Sequence, residues 1–114
     1  MSPRSSIERM QDILDAIIVI QGFVSDTGFP EFQDDLKTLR AVELELIVIG
    51  EAANMIPDEV QEAYPEIAWP LMRGMRNRLV HTYFLVSPKI IWDTIHQDLP
   101  PVAESLANIL RSKK

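Results

Sequence analysis

The sequence predicts an all-α fold, an up-and-down bundle of four to five helices. Three observations predict it. Apolar residues recur at spacings of three and four along most of the chain, as in Ile7, Met10, Leu14, Ile17 and Ile18, or Val102, Leu106, Ile109 and Leu110. That is the period of a helix with one buried face. Helix punctuation is frequent: Ser5 with Glu8 has the form of a capping box, Pro57 stops a run, and Ser87-Pro88 pairs an N-cap with proline at the first helical position. The one strand-like run, 46–49, has no second strand candidate to pair with.

The first helix is expected over 6–24, loosened at its end by Gly22, with a loop over 25–30 built from Ser, Asp, Thr, Gly and Pro. The second is expected over 31–56. It starts polar (Glu31, Gln33, Asp34, Asp35), which suits the positive end of a helix dipole. It then turns apolar nearly all round, from Leu44 through Ile56. A helix apolar on every side is buried on every side, so in so short a chain one side would face the bundle and the other a second subunit. Glu43, Gly50 and Glu51 interrupt that surface. Glu51 reads either as a solvated residue near the helix end or as a carboxylate facing the basic segment described below. Short helical turns are expected over 58–64, and Pro65 and Pro70 flank a corner that resists regular structure. A third long helix would run over 71–84. The last starts at Pro88 with Ile91, Ile95 and Leu99 in register, and Pro100-Pro101 would break or kink it before the piece that carries 102–110. The chain reads as one domain, 1–114, with 1–5 and 111–114 as frayed tails.

Composition narrows the chemistry. Hydrophobic residues at 46% and charged residues at 25% are the mix of a globular chain, not a disordered one. The absence of cysteine excludes disulfides, thiolate metal sites and cysteine nucleophiles. Two histidines, His81 and His96, are too few for a multi-histidine zinc site. No apolar run approaches the ~18 residues of a membrane span, and residues 1–4 lack the pattern of a signal peptide. A cytoplasmic protein without metal or other cofactor is expected.

The net charge of −6, from 11 basic and 17 acidic residues, argues against a general nucleic-acid binder, and no DNA partner is expected. The charge is unevenly placed, however. Between Ile67 and Trp92 there is no Asp or Glu, while Arg73, Arg76, Arg78 and Lys89 bring +4. The rest of the chain carries 7 basic and 17 acidic residues, or −10. A basic island in an acidic chain points to a localised anion site.

The island holds the candidate chemistry: Arg73, Arg76, Asn77, Arg78, His81 and Tyr83 within eleven residues. Arginine grips phosphate oxygens through a planar fork and stays charged at any working pH. Histidine titrates near neutrality and can give and take protons during turnover. Together they suit metal-independent cleavage of a phosphodiester. On an ideal helix Arg73, Asn77 and His81 form one stripe, and Arg76 and Tyr83, seven apart, nearly eclipse. Arg76 and His81 lie roughly 140° apart. They can share a cleft only if the arginine wraps across, the helix unwinds near His81, or a second subunit closes the site. Asn77, between them, could hydrogen-bond His81 and fix its tautomer. The plainer reading of the same residues is a solvated arginine face and a Tyr83-Phe84 pair in the core.

The run 76–84, Arg-Asn-Arg-Leu-Val-His-Thr-Tyr-Phe, resembles the R-x4-H-x-Y signature of HepT-like proteins in the HEPN superfamily. The resemblance covers most of the chain. Ile49-Gly50-Glu51-Ala52 resembles that family's IGEA segment, and Pro65-Glu66-Ile67-Ala68-Trp69 its P-x-I-x-W segment. Gly74-Met75-Arg76-Asn77 resembles its G-x-R-N segment, and Trp92 to Ile95 followed by Asp98-Leu99-Pro100 its closing pattern. The resemblance implies a helical homodimer with Arg and His of both subunits in one cleft. It implies a type II toxin acting as a metal-independent RNase, with Arg76 and His81 catalytic. It implies a minimal nucleotidyltransferase antitoxin that transfers AMP to the motif tyrosine, here Tyr83, so that the added anion blocks the RNA phosphate site. Asn77 and Glu51 would support the site, and Arg73, Arg78 and Lys89 would steer RNA. The alternatives are a non-catalytic helical partner of a nucleotidyltransferase, with Tyr83 only a modification site, and a plain helical dimer with no site.

Overall fold

The computed structural model describes residues 4–113 and is helical throughout, with no strand among them. The helices are α1 (Ser6–Val24), α2 (Phe29–Asp34), α3 (Leu36–Asn54), α4 (Asp58–Ala63), α5 (Trp69–His81), α6 (Pro88–Asp93) and α7 (Leu99–Ser112). A single 3-10 turn, Tyr83–Leu85, follows α5, and a π turn, Thr94–Asp98, joins α6 to α7. The continuous run over 88–112 makes six helical rods, four of them long, against the four to five expected. Of the tails expected to fray, residues 1–3 and 114 lie outside the described residues. Ser5, by contrast, is the N-cap of α1, closing the capping box with Glu8, and α7 continues through Ser112.

The second expected helix is in fact two. Asp35 leaves helical geometry at φ −100°, ψ 85°, and its carboxylate accepts from the Thr38 amide at 3.1 Å and the Thr38 hydroxyl at 2.6 Å. Aspartate competes for its own backbone in this way and so starts helices better than it continues them. The two Thr38 bonds hold the Asp35 carboxyl below the usual range. The cap therefore contributes at neutral pH and is lost as pH falls through that depressed value.

The third expected helix is shifted. It begins at Trp69, because proline is accommodated in a first helical turn. It stops at His81, where Thr82 turns out of the helix and its amide and hydroxyl both donate to the Arg78 carbonyl, at 2.9 and 3.1 Å. Pro100-Pro101 neither breaks nor ends the last helix. Proline lacks the N–H for an i→i−4 bond and its ring clashes with that carbonyl. The backbone widens instead, and the Leu99 amide reaches back to Thr94.

α3 is the centre of the fold, packed on α1 along one side and on α5 along the other, with α7 closing against α1. Met10, Ile13, Ile17 and Ile20 of α1 meet Val42, Leu46 and Ile49 of α3, Met72 of α5 and Leu106 of α7 in one buried core. Trp92 packs against Phe29 and Phe32, which moors the short α2 to α6.

The tightest approach is at Gly50. A Cβ there would lie 2.1 Å from Cβ of Arg76 and 2.8 Å from the Met72 carbonyl oxygen. Only a glycine lets α5 come this close to α3. Gly74, on α5, has nothing within 4 Å of where its Cβ would be. Gly50→Ala is therefore expected to destabilise by roughly 1–3 kcal/mol through overpacking. Gly74→Ala should gain up to about 1 kcal/mol from helix propensity. Chemical denaturation of the two variants checks the contrast.

Candidate active site

The Gly50 contact decides where the motif's first arginine goes. With α5 seated on α3, the Arg76 side chain runs over Gly50 and its Nε donates to Oε1 of Glu51 at 2.6 Å. Its Nη1 donates to Oδ1 of Asn77 at 3.0 Å. Glu51 is therefore a carboxylate facing the basic segment. Asn77 accepts from Arg76, and no hydrogen bond joins Asn77 to His81.

α5 buries Met72, Met75 and Leu79 and turns its other side outward. On that open side the helix order around the axis is Arg76, Val80, Arg73, Asn77, His81, an arc of roughly 140°. His81 is exposed at the last helical residue. Of the three ways Arg76 and His81 could share a cleft, two are closed within one chain. The helix stays regular through His81, and the Arg76 guanidinium is committed to Glu51 and Asn77.

Tyr83 does not stack over Arg76. The helix ends two residues before it, and the ring meets the Arg40 guanidinium of α3, 5.1 Å from centroid to carbon. Arg40 in turn donates to the buried Glu43 at 2.9 Å. The contacts Gly50 with Arg76 and Arg40 with Tyr83 show that α3 and α5 run antiparallel. Arg40 was not among the residues the sequence singled out, and its i,i+3 spacing from Glu43 was the available signal.

The other cations of the island are dispersed. Arg73 bonds the Gln61 side chain, whose amide also donates to the Ala53 and Ile56 carbonyls, so it ties α5 to α4 and the end of α3. Arg78 points to the far side of α5, into a cleft of about 250 Å³ with Thr94 and Asp98 of the π turn. Lys89 pairs with Asp93 at 3.0 Å and lies 5.3 Å from the Phe29 ring centroid. A groove of about 450 Å³ between α1 and α3 is lined by Asp12, Asp15, Glu45 and Glu51 against Arg9, a poor surface for a polyanion. No helix among the described residues is long and apolar enough to cross a membrane.

Comparison with known proteins identifies the family. A family model described as "Ribonuclease HepT-like" matches residues 13–109. A protein of Thermococcus cleftensis named "Probable ribonuclease HepT" is 39% identical over 97 residues, covering 85% of this chain and 88% of its own. A protein of Methanocaldococcus jannaschii named "Putative RNase MJ0127" is 35% identical over 105 residues, 92% of this chain and 81% of its own. No solved structure gives a significant match. The chain belongs to the HepT-like ribonuclease family.

The ion pair between Arg76 and Glu51 is partly open to water, with side chains 24% and 51% exposed. Such pairs contribute ~0–1 kcal/mol. Glu51→Gln should therefore leave the denaturation midpoint nearly unchanged while releasing the arginine, seen as a shift of the Arg76 Nε–H resonance toward the position of a free guanidinium.

Proposed function

We propose that this chain is a metal-independent endoribonuclease, the toxin of a toxin–antitoxin pair, working as a homodimer. One observation carries the reading. Arg76 is held by Glu51 and Asn77 at one edge of the open face of α5, and His81 is free at the other edge. A fixed cation and a mobile proton carrier are the two groups that phosphodiester cleavage requires.

In the reaction the ribose 2′-oxygen attacks the adjacent phosphorus. The O2′–P bond forms, the P–O5′ bond breaks, and the proton of the 2′-hydroxyl ends on the departing 5′-oxygen. His81 takes or returns that proton. Arg76 stabilises the charge that gathers on the non-bridging oxygens. The products are a 2′,3′-cyclic phosphate and a 5′-hydroxyl.

The homodimer supplies what one chain lacks. Leu44, Val48 and Met55 of α3 are exposed, and they share one stripe with Glu51 at spacings of four, three and four. An apolar stripe around the Arg76–Glu51 pair favours a second copy there, which would bring a second Arg76 and His81 to the same cleft. Arg73, Arg78 and Lys89 would act on RNA through the field of the island rather than as a row of contacts. The antitoxin would be a minimal nucleotidyltransferase. The Tyr83 oxygen would attack the α-phosphorus of ATP, releasing pyrophosphate and leaving AMP at the His81 end of the site.

Purified protein is expected to cleave RNA in EDTA, with His81→Ala and Arg76→Ala each reduced by ~10²–10³. Equal cleavage by wild type and His81→Ala would overturn the reading. Mixing the two inactive variants should restore part of the activity if one chain's Arg76 works with the other's His81, and sedimentation should give a dimer. With ATP and the partner, wild type should gain the mass of AMP and Tyr83→Phe should not.

A further inference from the structure

α3 carries two glutamates that each hold an arginine. Glu51 holds Arg76, and eight residues earlier, roughly 12 Å along the helix, Glu43 holds Arg40. The two pairs differ in burial. Glu51 is half exposed, whereas Glu43 is 7% exposed. A buried carboxylate needs a partner, and Arg40 is the side chain that bonds it among the described residues. Arg40 is therefore set in place from beneath.

From that position its guanidinium lies over the Tyr83 ring. A cation–π contact of this kind consumes none of the guanidinium's N–H donors. Of the five N–H donors an arginine carries, one goes to Glu43, and no other forms a hydrogen bond among the described residues. The side chain is 50% exposed. Because α3 and α5 are antiparallel, Arg76 lies before His81 along the α5 axis and Arg40, at the level of Tyr83, lies beyond it. Pinning the tyrosine would explain the ring contact alone. The unused donors of a half-exposed guanidinium beside Tyr83 match a phosphate.

We propose that Arg40 is an anion-binding residue that takes a phosphate oxygen lying beside Tyr83, beyond His81 from Arg76 along the α5 axis. This rests on the ribonuclease reading only for the source of that phosphate. The phosphate belongs either to an RNA backbone next to the cleaved linkage or to a nucleotide brought to Tyr83.

Two measurements test it. In a His81→Ala background, which keeps the substrate intact, binding of a short fluorescein-labelled single-stranded RNA is followed by anisotropy against salt. Loss of one phosphate contact lowers the slope of log K against log salt by about 0.7 and the affinity about fivefold at 0.1 M salt. Arg40→Gln should show both. Arg40→Lys should keep the slope, and Glu43→Gln should keep the slope with a smaller loss of affinity. A purely structural role would not move the slope. Separately, inorganic pyrophosphate is titrated into the otherwise wild-type chain while the Arg40 Nε–H resonance is followed by NMR, and a saturable shift is expected. Circular dichroism confirms the fold of each variant. A changed slope in Arg40→Gln supports an RNA phosphate at Arg40. A pyrophosphate response with an unchanged slope supports a nucleotide phosphate. An unchanged slope together with an unmoved Nε–H overturns the proposal. Failure of the protein to bind RNA at all would remove the ribonuclease reading and leave the pyrophosphate titration to decide Arg40.

Discussion

The structure depends on the closeness of α3 and α5 at Gly50. That contact has no room for even one methyl group. It brings the two backbones together at the level of Met72 and Arg76, and the arginine leaves the interface along α3 to Glu51. The run Ile49-Gly50-Glu51-Ala52-Ala53 divides the tasks residue by residue. Ile49 and Ala53 are in the core, Gly50 is the contact, and Glu51 receives the guanidinium. A single glycine thus converts a packing constraint into a positioned charge.

α3 acts as the backing of the candidate face and contributes residues that the basic island lacks. The acidic groups that pair with the island's cations come from outside it, Glu51 of α3 with Arg76 and Asp93 with Lys89, and Glu43 of α3 holds the neighbouring Arg40. The separation of charge along the sequence is undone in space, where each cation is either anchored or turned aside. His81 is different. It is exposed at the end of α5, and the bond that closes the helix there is made by Thr82 to Arg78. Arg76 is restrained by Glu51 and Asn77 while His81 is left accessible, a division that suits the proposed reaction, in which charge must be met at a fixed place and a proton must move.

Much of the fold was legible because apolar spacing of three and four survives any local detail. Helix α1 has the bounds its pattern predicts, down to the capping box. The boundaries that moved were those where a side chain competes with the helix for backbone groups. Asp35 sits in a polar run that reads as a helix start, and it is a start, but of a second helix rather than a continuation of the first. Thr82 ends α5 early through its own hydroxyl. The loss of three residues there removed Tyr83 from the face of Arg76, so a helix-boundary error became an error about the candidate site. Asn77 was placed correctly on the helix, but an amide between an arginine and a histidine can serve either, and only the direction of Arg76 decides. Arg40 was missed for another reason: its spacing from Glu43 marks a local ion pair and no more, and its contact with Tyr83 is 43 positions away, which nothing local marks.

The π turn has a bearing on how this chain can vary. An i→i+5 closure encloses one more residue than an α-turn, so Thr94–Asp98 holds one residue of slack between two helices that are otherwise in phase. Deleting a single residue there would restore an ordinary turn without rotating Val102, Leu106 and Ile109 away from the core. The ordinary turn, however, is the geometry that Pro100 and Pro101 forbid. The extra residue and the two prolines are thus a linked trait. Either is costly without the other, and lineages of this fold should gain or lose them together.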